Sequence, residues 1–198
     1  MKKRLKIVCL ILAAIIIIFS VMVVVGKKFW AGVVSETYLV LTNVEDYQGR
    51  EKFFEEEYVG YWSRLLIFPE SNTENINIEK YYYERDYLSL DPIYKIVLVY
   101  TMNEEEYQNE KERLENIAVT ENGNVKKISY IPDGFQYPAY VAAYEKGRVY
   151  EYALTDDNER RIVCVYYQME ELDENTIGAD YMPRKEIIND QGFSIYSL

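Results

Sequence analysis

The stretch Ile93–Met102, IYKIVLVYTM, followed by Asn103 and EEEYQNEKERL, decides the fold class. Tyr94, Ile96, Leu98 and Tyr100 fall on one side of an extended chain, and Lys95, Val97, Val99 and Thr101 on the other, because strand side chains alternate with a period of two. β-Branched and aromatic residues dominate the run, and both suit a pleated surface. Asn103 can cap the helix that follows. Glu104, Glu105 and Glu106 then occupy its first turn, where the positive end of the helix dipole favours acids. The helix predicted over 104–117 is very polar. Its apolar stripe is only Tyr107, Leu114, Ile117 and Ala118, enough to dock on a sheet.

On the upstream side, 78–86 alternates as a strand, with Tyr81, Tyr83 and Tyr87 opposite Lys80, Tyr82 and Glu84. Before it, Phe54, Tyr58, Tyr61, Trp62, Leu65 and Leu66 recur at helical spacing from about Arg50 to Ile67. Gly60 weakens that helix and Pro69 ends it. Residues 31–45 read as linker plus a short extended piece, Tyr38, Val40 and Thr42 alternating with Leu39 and Leu41. Downstream, Asn122-Gly123 turns the chain into a strand over 125–131, which Pro132 and Asp133-Gly134 break. The segments 139–145, 147–155 and 160–169 form a three-strand antiparallel meander with turns at Lys146-Gly147 and Asp156-Asp157-Asn158. The acidic segment after Glu170 reads as loop, with a short tail strand over 193–197. Strands in runs with two helices give an α+β class: one antiparallel, tyrosine-rich sheet with helices packed on one face.

The N-terminus sets the location. Lys2, Lys3, Arg4 and Lys6 precede an uncharged apolar run from Ile7 to Val25. A bilayer core about 30 Å thick needs about 20 helical residues. Lys27 and Lys28 form the weaker basic flank, so the N-terminus is expected to stay cytoplasmic. Phe29 and Trp30 suit the outer interface. A cleaved signal fits less well: the core is long, two lysines follow it, and the best cleavage site, Val33-Val34-Ser35, is poor. Cys9 is misplaced for a lipid-anchor signal, and the features of a pilin-type leader are missing. The expected organisation is a basic stub at 1–6, a transmembrane signal-anchor at 7–26, a linker at 27–45 and an extracytoplasmic α+β domain at 46–198. The protein is then a single-pass cell-membrane protein whose first partner is the lipid bilayer.

Composition removes several activities. Residues 31–198 carry 16 Lys+Arg against 33 Asp+Glu, a net charge of −17. That repels nucleic acid and anionic polymers. Cys9 and Cys164 are expected on opposite sides of the membrane and cannot pair. Cys164, in the run Ile162-Val163-Cys164-Val165-Tyr166, reads as a buried small hydrophobe. The chain has no histidine, which removes histidine-based triads, zinc sites and pH switches. Asp156-Asp157-Asn158-Glu159 reads as an acidic hairpin turn before a Ca²⁺ site. The segment from Asp173 starts like an EF-hand loop, but Arg184 stands where the twelfth-position Glu belongs. The triplets Glu55–Glu57 and Glu104–Glu106 point their acids in different directions, so neither reads as a paired glycosidase site. No cofactor or metal is expected.

The strongest binding candidate is aromatic: Trp62, Tyr81, Tyr83, Tyr130, Tyr137 and Tyr140 could offer a platform for sugar or peptide, with sheet packing as the plainer reading. Tyr94–Leu114, with IFPE at 67–70 and YYYE at 81–84, resembles a strand–acidic-helix unit of membrane-anchored proteins from low-GC Gram-positive bacteria. Their helix follows the pattern E-E-[YF]-x-x-E-x-x-R-[LI]. The resemblance implies a bacterial envelope setting, and no functional residue carries over with it. The expectation is an anchored binding protein without catalysis, its partner an envelope or membrane protein. The alternatives are an accessory subunit acting through its transmembrane helix, or a carboxylate- or thiol-dependent envelope hydrolase.

Overall fold

The computed structural model describes residues 22–23, 25–27, 37–50, 65–69, 75–121, 123–184 and 193–195. The chain divides into two units, 1–38 and 39–198. In the first, residues 22–23 and 25–27 are helical, with Met22, Val23 and Val25 exposed. The rest of the apolar run lies outside the described residues. No helix among the described residues is long and apolar enough to cross a membrane.

The fold is α+β and mainly antiparallel sheet. In chain order it comprises β1 (Tyr38–Leu41), β2 (Ile76–Asp86), β3 (Ile93–Met102), α1 (Glu104–Asn116), β4 (Ala118–Glu121), β5 (Asn124–Lys127), β6 (Ser129–Ile131), β7 (Ala139–Glu145), β8 (Val149–Asp156), β9 (Arg161–Gln168), α2 (Glu174–Ile177) and β10 (Phe193–Ser194). The main sheet runs β1-β2-β3-β9-β8-β7-β10, with β6 also on β7. A bulge between Val141 and Ala143 divides the outer edge of β7. β6 pairs with Ala139–Val141 on one side of the bulge, and β10 with Ala143 and Tyr144 on the other.

The alternation in β3 sorts two cores. Tyr94, Ile96, Leu98 and Tyr100 join Tyr81, Tyr83, Cys164, Tyr166, Tyr107 and Leu114 beneath α1. Val97 and Val99 join Val163, Val165, Tyr152, Leu154, Phe135 and Ile177 on the opposite face. Both faces are therefore buried, and the described helices are not confined to one. α2 and the loop carrying Phe135 cover the second face.

Other elements depart from expectation. The segment 125–131 is two strands: β5 pairs with β4 in a separate hairpin, while β6 belongs to the main sheet. The break is at buried Ile128, whose N–H is taken by the Ile117 carbonyl. Of the helix expected over Arg50–Ile67, 51–64 lie outside the described residues. Its end is a tight turn rather than helix: Leu65 has φ 47° and Phe68 N donates to Leu65 O at 3.1 Å. Leu65, Ile67 and Phe68 are fully buried. They belong to the core beneath α1, together with Cys164, Ala153, Ala142 and Ala143 of the sheet. The loop expected after Glu170 contains α2, capped by Asp173, whose Oδ1 accepts from Asn175 N and Thr176 N.

Candidate functional site

The six aromatic residues do not form one surface. Tyr81, Tyr83 and Tyr140 are 3%, 3% and 2% exposed within the core beneath α1. Tyr137 packs against the opposite face, its ring 6.1 Å from that of Tyr181. Tyr130 is exposed on β6, with its ring 5.1 Å from Tyr140. Trp62 lies outside the described residues.

The tyrosines instead hold the helix. Tyr100 OH donates to Glu110 Oε1 at 3.1 Å and Tyr140 OH to Glu115 Oε1 at 3.0 Å. From α1 itself, Tyr107 OH donates to Asp157 Oδ1 at 2.7 Å, and Lys111 Nζ sits 2.7 Å from the same oxygen. Burial, with the neighbouring carboxylates, raises the pKa of Tyr100, Tyr107 and Tyr140, so each stays a protonated donor. A helix with a narrow apolar stripe thus docks through hydroxyl–carboxylate bonds as well as through Tyr107 and Leu114. Charge-assisted bonds of this kind are roughly twice as strong as neutral ones.

A polar cluster that no sequence motif announced shares Glu110 with these contacts and is centred on Arg113 of α1. Arg113 Nη1 donates to Leu66 O at 2.7 Å and Nη2 to Ile67 O at 2.9 Å. Its Nε and Nη2 also bond both oxygens of Glu110, at 2.7 and 2.6 Å. Cys164 Sγ donates to Ile67 O at 3.4 Å, and Ile67 N donates to Glu151 Oε1 at 3.3 Å. Glu151 is fully buried, and Cys164 is too. Burial, then the charge of Glu110, pushes the Cys164 thiol far up, against a thiolate at neutral pH. The signals were the i, i+3 pair Glu110–Arg113 and an acid, Glu151, in the interior of the strand VYEYALTD, between Tyr150 and Tyr152.

Arg113 and Glu110 also border a cleft of about 290 Å³ between α1 and the start of β2, with Asn75, Ile76, Glu106 and Asn109. It continues into a more open hollow of about 490 Å³ past Asn77, Thr101, Asn103 and Arg160. Ile76 and Met102 line both parts. Asn75 Nδ2 donates to Glu106 Oε1 at 3.1 Å and Asn77 Nδ2 to Thr101 Oγ1 at 3.2 Å. The side chains of Asn109 and Arg160 have no hydrogen-bond partner among the described residues. The groove therefore offers amides, carboxylates and a guanidinium around a small apolar floor, a hydrogen-bonding surface for a polar ligand.

The acidic turns have local employment. Asp156 Oδ1 accepts from Asn158 N, and Asp157 serves Tyr107 and Lys111. Asp173 caps α2 and accepts from Tyr167 OH at 3.2 Å. Among the described residues no three acidic or thiol side chains gather as metal ligands. Glu104 accepts from Gln108 and Glu106 from Asn75, so those two acids bond to different neighbours. Glu55–Glu57 lie outside the described residues. Comparison of the chain with protein-family models, with curated proteins and with solved structures gave no match.

Proposed function

We propose that this is a single-pass membrane protein of the bacterial envelope whose extracytoplasmic domain binds a protein or envelope component and has no catalytic activity. Support for the anchor comes from the apolar run 7–25 between unequal basic flanks. The observation that carries the binding reading is the occupation of the reactive groups. Cys164, Glu110, Arg113, Asp157 and Asp173 are all bonded into the fold. The groove beside α1, with Asn109 and Arg160, keeps polar groups available to a ligand. The buried Tyr81, Tyr83 and Tyr140 leave that groove as the better binding surface.

The test is capture of partners by the full-length protein from crosslinked native membranes, comparing parent with Asn109→Trp, which fills the groove from an exposed helix position. A dominant partner lost in the variant is the expected result. Equal capture by both removes the groove from the account, and turnover of a peptide or cell-wall substrate by the purified protein removes the non-catalytic reading.

A further inference from the structure

Two neighbouring arginines meet where the β8–β9 turn enters β9, and they are used differently. Arg161 Nε donates to Glu79 Oε2 at 2.9 Å, and its Nη1 lies 3.9 Å from Asp156 Oδ2. The side chain of Arg160 forms no ion pair or hydrogen bond among the described residues, although Glu159 precedes it. It lines the open hollow with Asn77, Thr101 and Asn103. Its backbone has φ 50°, in the left-handed region where glycine and asparagine are at home and other residues are held at a cost. Its carbonyl accepts from Met102 N at 3.3 Å, which ties that backbone to the end of β3. An arginine kept at such a position with its guanidinium unused points to a task for the side chain.

The other charges around the groove are largely paired. Glu79 is taken by Arg161 and Glu110 by Arg113. Glu106 accepts from Asn75 through Oε1 and keeps Oε2. The hollow therefore carries a guanidinium and the cleft a carboxylate. Between them the amides are only half used. Asn103 accepts from Glu106 N through Oδ1 and keeps its NH₂ group. Asn77 donates to Thr101 and keeps Oδ1. Asn109 keeps both its donor and its acceptor. Spare donors and acceptors together match the N–H and C=O groups of a peptide main chain. Ile76 and Met102 supply a floor for an apolar side chain. No aromatic ring lines either part, so a sugar has no flat face to stack on. Volumes of about 290 and 490 Å³ suit a ligand of a few residues.

We infer that the groove holds the carboxyl-terminal residues of a peptide, with the terminal carboxylate on Arg160 and the preceding main chain running over Ile76 and Met102 toward Asn109 and Glu106. The planar guanidinium fork can bond both oxygens of a carboxylate. Glu159 on the rim, and the net charge of −17 over residues 31–198, disfavour a ligand with much negative charge beyond that one group. The inference deepens the binding reading of the groove and rests on it.

Affinity selection with the full-length protein in detergent, read by mass spectrometry, tests it. The probe is an equimolar library of N-acetylated tripeptides with free carboxyl termini, set against the same library as carboxyl-terminal amides. The acids should be retained at least about tenfold above the amides, through a charge-assisted pair that an amide cannot form. Arg160→Gln should bring the acids down to the amide level. Arg160→Asn should do the same with a urea midpoint equal to or above that of the parent, because asparagine tolerates the positive φ; that separates lost recognition from lost fold. Equal retention of acids and amides, unchanged retention in Arg160→Gln, or no retention of either library overturns the inference. The groove itself is decided by capture from native membranes. A partner lost in Asn109→Trp while no library is retained removes the peptide and keeps the groove. Where the acids are retained, a partner lost in both Asn109→Trp and Arg160→Gln identifies the ligand as that protein's own tail. Retention of the acids with no partner captured identifies a free peptide.

Discussion

Arg113→Ala tests how α1 is fixed to the sheet. Arg113 is 29% exposed in its side chain and its Glu110 partner 13%, so neither is a free surface group. Arg113 spans the two sides of a joint: two carbonyls of the Leu65–Phe68 turn and both oxygens of Glu110. Hydrogen bonds to charged groups contribute about 1.5–3 kcal/mol each, and partial exposure puts these at the lower end. Losing two carbonyl bonds gives about 3 kcal/mol, consistent with breaking a buried pair. An ordinary surface ion pair would give about 0–1 kcal/mol. With a urea dependence of about 2 kcal/mol/M, the midpoint should fall by about 1.5 M. Pulse proteolysis of the full-length protein in detergent across a urea series measures it. Arg113→Lys keeps the charge but not the fork and should lie between. A fall below about 0.3 M for the alanine variant would mean that the joint is solvent-screened, and the clamp argument fails.

Cys164 should resist a water-soluble maleimide in the folded protein and react stoichiometrically in urea; rapid native labelling contradicts its burial. Gly178 has φ 108°, and a Cβ there would meet the Tyr181 ring at 3.3 Å. Gly178→Ala should therefore cost more than about 1 kcal/mol in the same proteolysis assay. The hydrogen bond from Lys111, and then that from Tyr107, depress the Asp157 pKa. A depressed carboxylate contributes stability above its unfolded pKa of about 3.9 and loses it as pH falls through the lower folded value. Asp157→Asn should thus be less stable than the parent at pH 7, with the difference closing below about pH 4.

Strands with strong alternation and clear breakers were legible. β3 and β7 have the expected bounds because Pro92, Asn103, Pro138 and Lys146-Gly147 frame them. The Asn103 cap was legible too, since its Oδ1 accepts from Glu106 N at 3.0 Å. The second buried face was also written in the sequence: β9, RIVCVYYQ, is apolar on both sides. What covers that face was not legible, because α2 is a single turn fixed by an aspartate cap and by Ile177 packing. The short β4 and the break at Ile128 depend on pairing partners rather than on local pattern. The Leu65 turn needs a positive φ in a residue that rarely adopts one, so helical spacing extended the helix too far. For the site, tyrosine itself is ambiguous. The same residue suits an exposed platform or a core whose hydroxyls reach acids, and only the position of α1 separates the two.

The central claim is an outward domain on a membrane tether, and labelling from one side tests it most directly. Cys9→Ala, Leu90→Cys protein places a single fully exposed thiol on the β2–β3 loop, with Cys164 buried. A membrane-impermeant maleimide applied to intact cells should label it fully, and permeabilisation should add nothing. Labelling that appears only after permeabilisation would put the domain on the cytoplasmic side and contradict the account.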